Sequence, residues 1–100
     1  MDLLAQMSSF VRIVESGSLS AAARRLRLSL PAVSRQLRAL EEELGSPLVV
    51  RTTRRLTVTE LGRAYYERCV RILREVEEAQ RSARAHDEVA GRLVVAASVT

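Results

Sequence analysis

This 100-residue chain has one cysteine, Cys69, and one histidine, His86. One cysteine cannot close an internal disulfide, and the pair does not supply a metal cluster. No apolar run approaches membrane-spanning length, and the N-terminus lacks a basic-then-apolar signal pattern. The chain therefore reads as cytoplasmic, with no membrane partner. Long internal repeats and low-complexity segments are absent. Catalytic candidates are equally sparse. Cys69 falls on an apolar stripe, where an inert buried thiol is the plainer reading. Tyr65 and Tyr66 beside it read as packing, and His86 as solvated or interfacial. Glu41, Glu42 and Glu43 are consecutive, so on a helix they diverge by about 100° each and do not converge on a metal. They read instead as a solvated helix end, partly pairing with nearby arginines. No enzyme, cofactor or metal follows from these residues.

Lysine is absent too: all 16 basic residues are arginine. The net charge is +4 and the pI near 10.5, with 47% hydrophobic residues, enough for one small core. Where the charge lies matters more than its total. Residues 24–55 hold eight arginines against three glutamates, whereas residues 63–90 hold six arginines and six acids. A polyanionic partner for the middle of the chain is the natural consequence.

That middle contains the stretch on which the rest depends, residues 29–45. Ser29 suits an N-cap, Pro31 a first helical turn, Gly45 a left-handed close and Pro47 a stop. Val33, Leu37, Leu40 and Leu44 recur at steps of four, three and four, which makes one inward stripe. Pro31, Ser34, Arg35 and Arg38 fall on another side, with no acid before Glu41. A helix start bearing arginine and serine suits phosphates and guanine edges. It reads as a recognition helix.

Around it, Leu3, Leu4, Met7, Phe10, Val11 and Val14 predict a first amphipathic helix over residues 2–16, ended by Gly17. Ser18 or Ser20 can cap a short second helix through Leu26. Its Ala21–Ala23 centre permits a close helix crossing, or else reflects helix propensity alone. Leu48–Arg51 and Leu56–Val58 are β-prone runs about a basic tip, which predicts a small hairpin. The tip is either a wing that carries Arg54 and Arg55 to a nucleic-acid backbone or minor groove, or a solvated loop. Thr59 can cap a long fourth helix. Along it Tyr65, Cys69, Ile72, Val76, Ala79, Ala83, His86 and Ala90 keep heptad spacing, widened early by Tyr66, Val70 and Leu73. Such a seam suggests a homodimer; an exposed linker helix held by Arg/Glu pairs is the alternative. Gly91 is expected to end the helix, and residues 92–100 to form a β-strand.

The fold expected is thus mainly α, a winged helix-turn-helix of three helices plus a small β-hairpin wing, followed by a long dimerisation or linker helix. Three stretches carry a family resemblance: Gly17–Leu26, Pro31–Gly45, and then Pro47-Leu48, Arg51-Thr52, Arg54-Arg55, Leu56–Glu60 and Gly62. In that order and without a gap they resemble the N-terminal region of LysR-type transcriptional regulators. The resemblance implies a DNA-binding domain over residues 1–59 and a linker/dimerisation helix over 60–90. It also implies that 91–100 is the first strand of a C-terminal effector-binding domain. Any small-molecule effector would bind there, with no cofactor in this chain. It further implies binding of double-stranded DNA, at a roughly palindromic operator, by a homodimer or a full-length tetramer.

Candidate DNA contacts are Ser20, Ser29, Leu30, Pro31, Ser34, Arg35, Arg38, Arg54 and Arg55. By position, the resemblance places Pro31, Ser34 and Arg35 in the major groove, Ser20 on the phosphate backbone and Arg54 in the minor groove. Arg35 can bond guanine O6 and N7 together, while Arg38, Arg54 and Arg55 supply charge. Candidate dimerisation residues are Tyr65, Cys69, Ile72, Val76, Ala79 and Ala83. Two departures stand out. Leu30 occupies a position where the family often has glutamine, which exchanges a polar base contact for an apolar one. Val49-Val50 replaces a common Phe-Glu, which alters packing and salt links at the wing base. The competing reading is a helical dimerisation module whose basic face meets an acidic protein; it predicts no operator preference.

Overall fold

The computed structural model describes residues 2–52 and 55–99, with side chains up to Val89. Four helices and one hairpin follow in the order α1 (Leu3–Ser16), α2 (Leu19–Leu26), α3 (Leu30–Leu44), β1 (Val49–Arg51), β2 (Leu56–Val58) and α4 (Glu60–Val99). Side-chain acceptors cap each start. Asp2 accepts the Ala5 N–H at 3.1 Å, Ser18 that of Ala21 at 3.0 Å and Ser29 that of Ala32 at 3.2 Å. Thr59 Oγ1 accepts the Gly62 N–H at 2.9 Å at the head of α4. Gly17 and Gly45 close α1 and α3 at φ of 78° and 75°. Of the two serines that could cap α2, Ser18 is the one used.

α1 is the central helix and touches α2, α3 and α4. It therefore buries a wider arc than its own spacing suggests: Gln6, Met7, Ser9, Phe10, Val11 and Ile13. Ile13, outside the expected stripe, is fully buried, whereas Leu3 and Leu4 project from the first turn and stay exposed. Ser9 Oγ donates to Gln36 Oε1 and so ties α1 to α3. On α3, Val33, Leu37 and Leu40 are buried as expected, but Leu44 is 38% exposed. It sits in the last turn, past the helices that cover the others.

The hairpin is antiparallel, with Val49 opposite Val58, Val50 opposite Thr57 and Arg51 opposite Leu56. Leu48 and Val49 sink into the core while Val50 is half exposed. Glu41 accounts for this. Its Oε2 accepts the Leu48 N–H at 2.7 Å and the Val49 N–H at 3.3 Å, so it anchors the wing base rather than pairing with arginine.

Two expectations about α4 need correction. The first is the seam. Cys69 is wholly buried in the core, and the Tyr65 ring packs on Phe10 with centroids 6.0 Å apart. These two side chains face α1 inside the protomer, because the first turns of α4 dock on the three-helix core before the helix extends outward. The second is the end of the helix. α4 continues through Gly91 to Val99, and residues 92–99 form no strand. A lone strand leaves its backbone groups without partners, whereas a helix pairs them locally.

Candidate nucleic-acid interface

The starts of α2 and α3 and the two strands of the wing converge on one open cleft of about 590 Å³. It is lined by Gly17, Ser18, Leu19 and Ser20, by Leu30, Pro31 and Ser34, and by Arg51, Thr52, Arg55 and Leu56. Two guanidiniums face a wall of serine hydroxyls, and the lining contains no carboxylate. Both helices point their N-terminal ends this way, adding partial positive charge and unpaired backbone N–H groups. The hydroxyls, guanidiniums and helix starts of the cleft favour an anion or an acceptor-rich edge, beside an apolar part formed by Leu19, Leu30, Pro31 and Leu56.

Five of the expected contact residues therefore meet here: Ser20, Leu30, Pro31, Ser34 and Arg55. They come from three segments that are far apart in the chain. Ser20 is exposed, and the Ser18 hydroxyl, not that of Ser20, caps α2. Ser29 is exposed just before α3, with its hydroxyl engaged by the Ala32 N–H. Arg35 and Arg38 are exposed on α3 outside the cleft lining. Among the described residues neither has an ion pair or hydrogen bond, and the one ion pair present is Arg12–Glu15 at 2.8 Å. Arg35 is thus presented to solvent and not tucked against a carboxylate. Arg54 lies outside the described residues.

Arg51 and Thr52 join the cleft although neither stood among the contact residues expected from the sequence. Strand alternation was the available signal: Arg51 shares its face of β1 with buried Val49, and it is exposed where it lines the cleft. The tip is closed by the Thr52 N–H donating to the Arg55 carbonyl at 2.8 Å and the Arg55 N–H to Thr52 Oγ1 at 3.0 Å. This brings the two cleft-lining residues that flank the tip together.

A second groove, between α1 and α4, is lined by Ser8, Val11, Arg12, Glu15, Val70, Leu73 and Val76 among others. Tyr66 OH donates to Glu15 Oε2 at 3.0 Å across it. Beyond it, Ile72 is 40% exposed, and Ala79 and Ala83 are exposed. Burial pushes the Cys69 thiol up to about 11, in keeping with an inert core group. Among the described residues no cluster of His, Cys, Asp and Glu could hold a metal, and no helix is long and apolar enough to cross a membrane.

Comparison with known proteins gives this geometry a context. The chain is similar to "HTH-type transcriptional activator AaeR" of Escherichia coli (strain K12), with 45% identity over 78 residues, which are 78% of this chain and 25% of that protein. It thus spans about a quarter of the length of the curated relatives it first matches. Its structure is similar to that of the CbnR_DBD-DNA complex, with a TM-score of 0.79 and 36% identity, covering 85% of this chain and 97% of that one. The BenM_DBD/catB site 1 DNA complex matches with a TM-score of 0.79 and 33% identity over 84% of this chain and 92% of that one. Residues 4–63, which contain α1 to α3, the wing and the head of α4, match the family described as "Bacterial regulatory helix-turn-helix protein, lysR family". On that match, and on the helices and wing that carry it, the chain belongs to the lysR family of bacterial regulatory helix-turn-helix proteins.

Proposed function

We propose that this chain is the DNA-binding part of a cytoplasmic transcriptional regulator that recognises operator duplex as a homodimer. α3 enters the major groove, with Arg35 reading guanine and Pro31 and Ser34 beside it. Ser20 meets the phosphate backbone, and Arg51 and Arg55 carry the wing to the flanking backbone or minor groove. Arg38 adds charge. The observation that carries the reading is the cleft itself. It draws hydroxyls and guanidiniums from three segments into one carboxylate-free surface at two helix starts. Relatives solved as protein–DNA complexes support the duplex-binding reading.

Dimerisation is proposed through α4 beyond the core, where Ile72, Val76, Ala79 and Ala83 keep one stripe on a helix of 40 residues. At 1.5 Å per residue that helix is about 60 Å long, far more than the three-helix core can cover. A small-molecule effector is proposed to act on another domain of the whole protein, not on residues 1–90. The test is selection of bound sequences from a random duplex pool. A roughly palindromic motif is expected, because each protomer reads one half-site. Binding that shows no sequence preference, and that heparin abolishes equally, would refute the reading in favour of an acidic partner.

A further inference from the structure

We propose that Arg24 and Arg27, at the far end of α2, hold operator phosphates outside the cleft and give each half-site a second backbone contact. The inference rests on the duplex-binding reading above and extends it to a surface that reading leaves unused. Residues 16–40 contain five arginines and no Asp or Glu. Arg24, Arg25 and Arg27 are all exposed. Among the described residues none of their side chains has an ion pair or hydrogen bond.

Two of the three are tied to residues that line the cleft. Arg24 follows Ser20 by four residues, about 40° around the helix, so it continues the face of α2 that carries that hydroxyl. Arg25 lies about 140° from Ser20 and belongs to another face. Arg27 stands three residues before Leu30 of the cleft, so their backbones are at most about 11 Å apart. Duplex DNA carries one charge per about 1.7 Å of axis, so a duplex seated in the cleft continues past this point with further phosphates.

The backbone there is fixed. The Arg27 N–H donates to the Arg24 carbonyl at 3.3 Å, and the Leu28 N–H to the Ala23 carbonyl at 3.0 Å. Arg27 itself is left-handed, at φ 57°. The negative end of α2 accounts for cations at Arg24 and Arg25. It does not account for arginine at a left-handed position, where glycine closes a helix without strain, as Gly17 and Gly45 do. A side chain kept there despite the strain points to a ligand for it.

The test measures the salt dependence of binding to the selected operator and to random duplex, between about 50 and 200 mM salt. Arg24→Gln and Arg27→Gln should each lower the log–log slope by about 1 per half-site, on both duplexes. The affinity deficit per half-site should be about threefold larger at the low-salt end than at the high-salt end. Arg27→Lys, which keeps the charge, should hold the wild-type slope, and Arg25→Gln should leave it unchanged. Arg27→Gly should show a higher urea midpoint together with the lower slope, since it relieves strain and removes a contact. A merely structural role would move stability and binding in the same direction.

Unchanged slopes in both Arg24→Gln and Arg27→Gln would overturn the inference. So would an equal fall in Arg25→Gln, which would show an effect of total charge and not of this face. Unchanged slopes with loss of binding to polyglutamate would assign the surface to an acidic protein segment instead. In all these cases the selected motif would still stand and only the role of the α2 end would fall. Failure of the wild-type chain to select any motif would instead remove the duplex-binding reading beneath it.

Discussion

Adding one methyl group at Gly62 sets two effects of opposite sign against each other. Gly62 lies in the first turn of α4 at an ordinary helical conformation, where alanine is better than glycine by about 1 kcal/mol on propensity alone. A Cβ placed there, however, would lie 2.1 Å from the Leu48 carbonyl oxygen and 2.8 Å from Val58 Cγ1. The first of these is backbone, and it is already held. Leu48 O accepts the Thr59 N–H at 3.0 Å and the Thr59 hydroxyl at 3.1 Å, while Leu48 N–H is bound to Glu41.

Moving that carbonyl far enough would weaken two hydrogen bonds, each worth about 1 kcal/mol net. Overpacking of a tight site adds about 1–3 kcal/mol. Against the propensity gain, Gly62→Ala should therefore destabilise the domain by about 2–4 kcal/mol. Urea denaturation of the wild type and variant measures this, and the melting temperature should fall by about 4–8 °C for each kcal/mol. Ala64→Gly, at an exposed position two residues on, is the control and should cost only about 1 kcal/mol. A Gly62→Ala variant as stable as the wild type, or more so, would refute the close approach of α4 to the wing base.

Arg27 is the one non-glycine among the described residues with positive φ, at 57°. Arg27→Gly should stabilise by about 1 kcal/mol by relieving the left-handed strain, read as a higher urea midpoint. The raised Cys69 pKa keeps its thiol neutral in the folded state after the unfolded thiol, near 9, has ionised. Stability should thus be full below pH 9 and fall between pH 9 and about 11, by at most about 1.4 kcal/mol per pH unit. Cys69→Ala should remove most of that slope in pH-dependent urea melts. Arg35→Ala should cost about 1–3 kcal/mol on the selected operator and little on random DNA, measured by competition binding. Arg55→Ala should weaken both alike and reduce the log–log salt slope by about 1.

Much of the fold was legible because its signals act over one helical turn. Ser29 and Gly45 cap α3 and Gly17 ends α1 through residues within four of each other, and the β-prone runs flanking residues 52–55 pair as a hairpin over at most nine. The face of α3 that carries Arg35 followed from the opposite stripe of Val33, Leu37 and Leu40. The role of Glu41 was not legible, because it acts on backbone seven and eight residues away. Nothing in a run of three glutamates singles out the first. Heptad spacing on α4 was genuine, but spacing cannot say what covers a stripe. Tyr65 and Cys69 turn out to be covered by α1, while Ile72, Ala79 and Ala83 remain open.

From the residues alone came the first three helices and the start of the fourth, the caps at Ser29 and Thr59, the hairpin and the crowding of positive charge between residues 24 and 55. These depend on backbone preference and side-chain spacing, which neighbouring residues settle among themselves. Tertiary structure decided what those elements enclose: a cleft that recruits Arg51 alongside Ser20 and Ser34, a wing base locked to α3, and a fourth helix whose first turns belong to the core. Contacts of this kind depend on which surfaces exclude water together, and that is settled only when segments far apart in the chain come into contact.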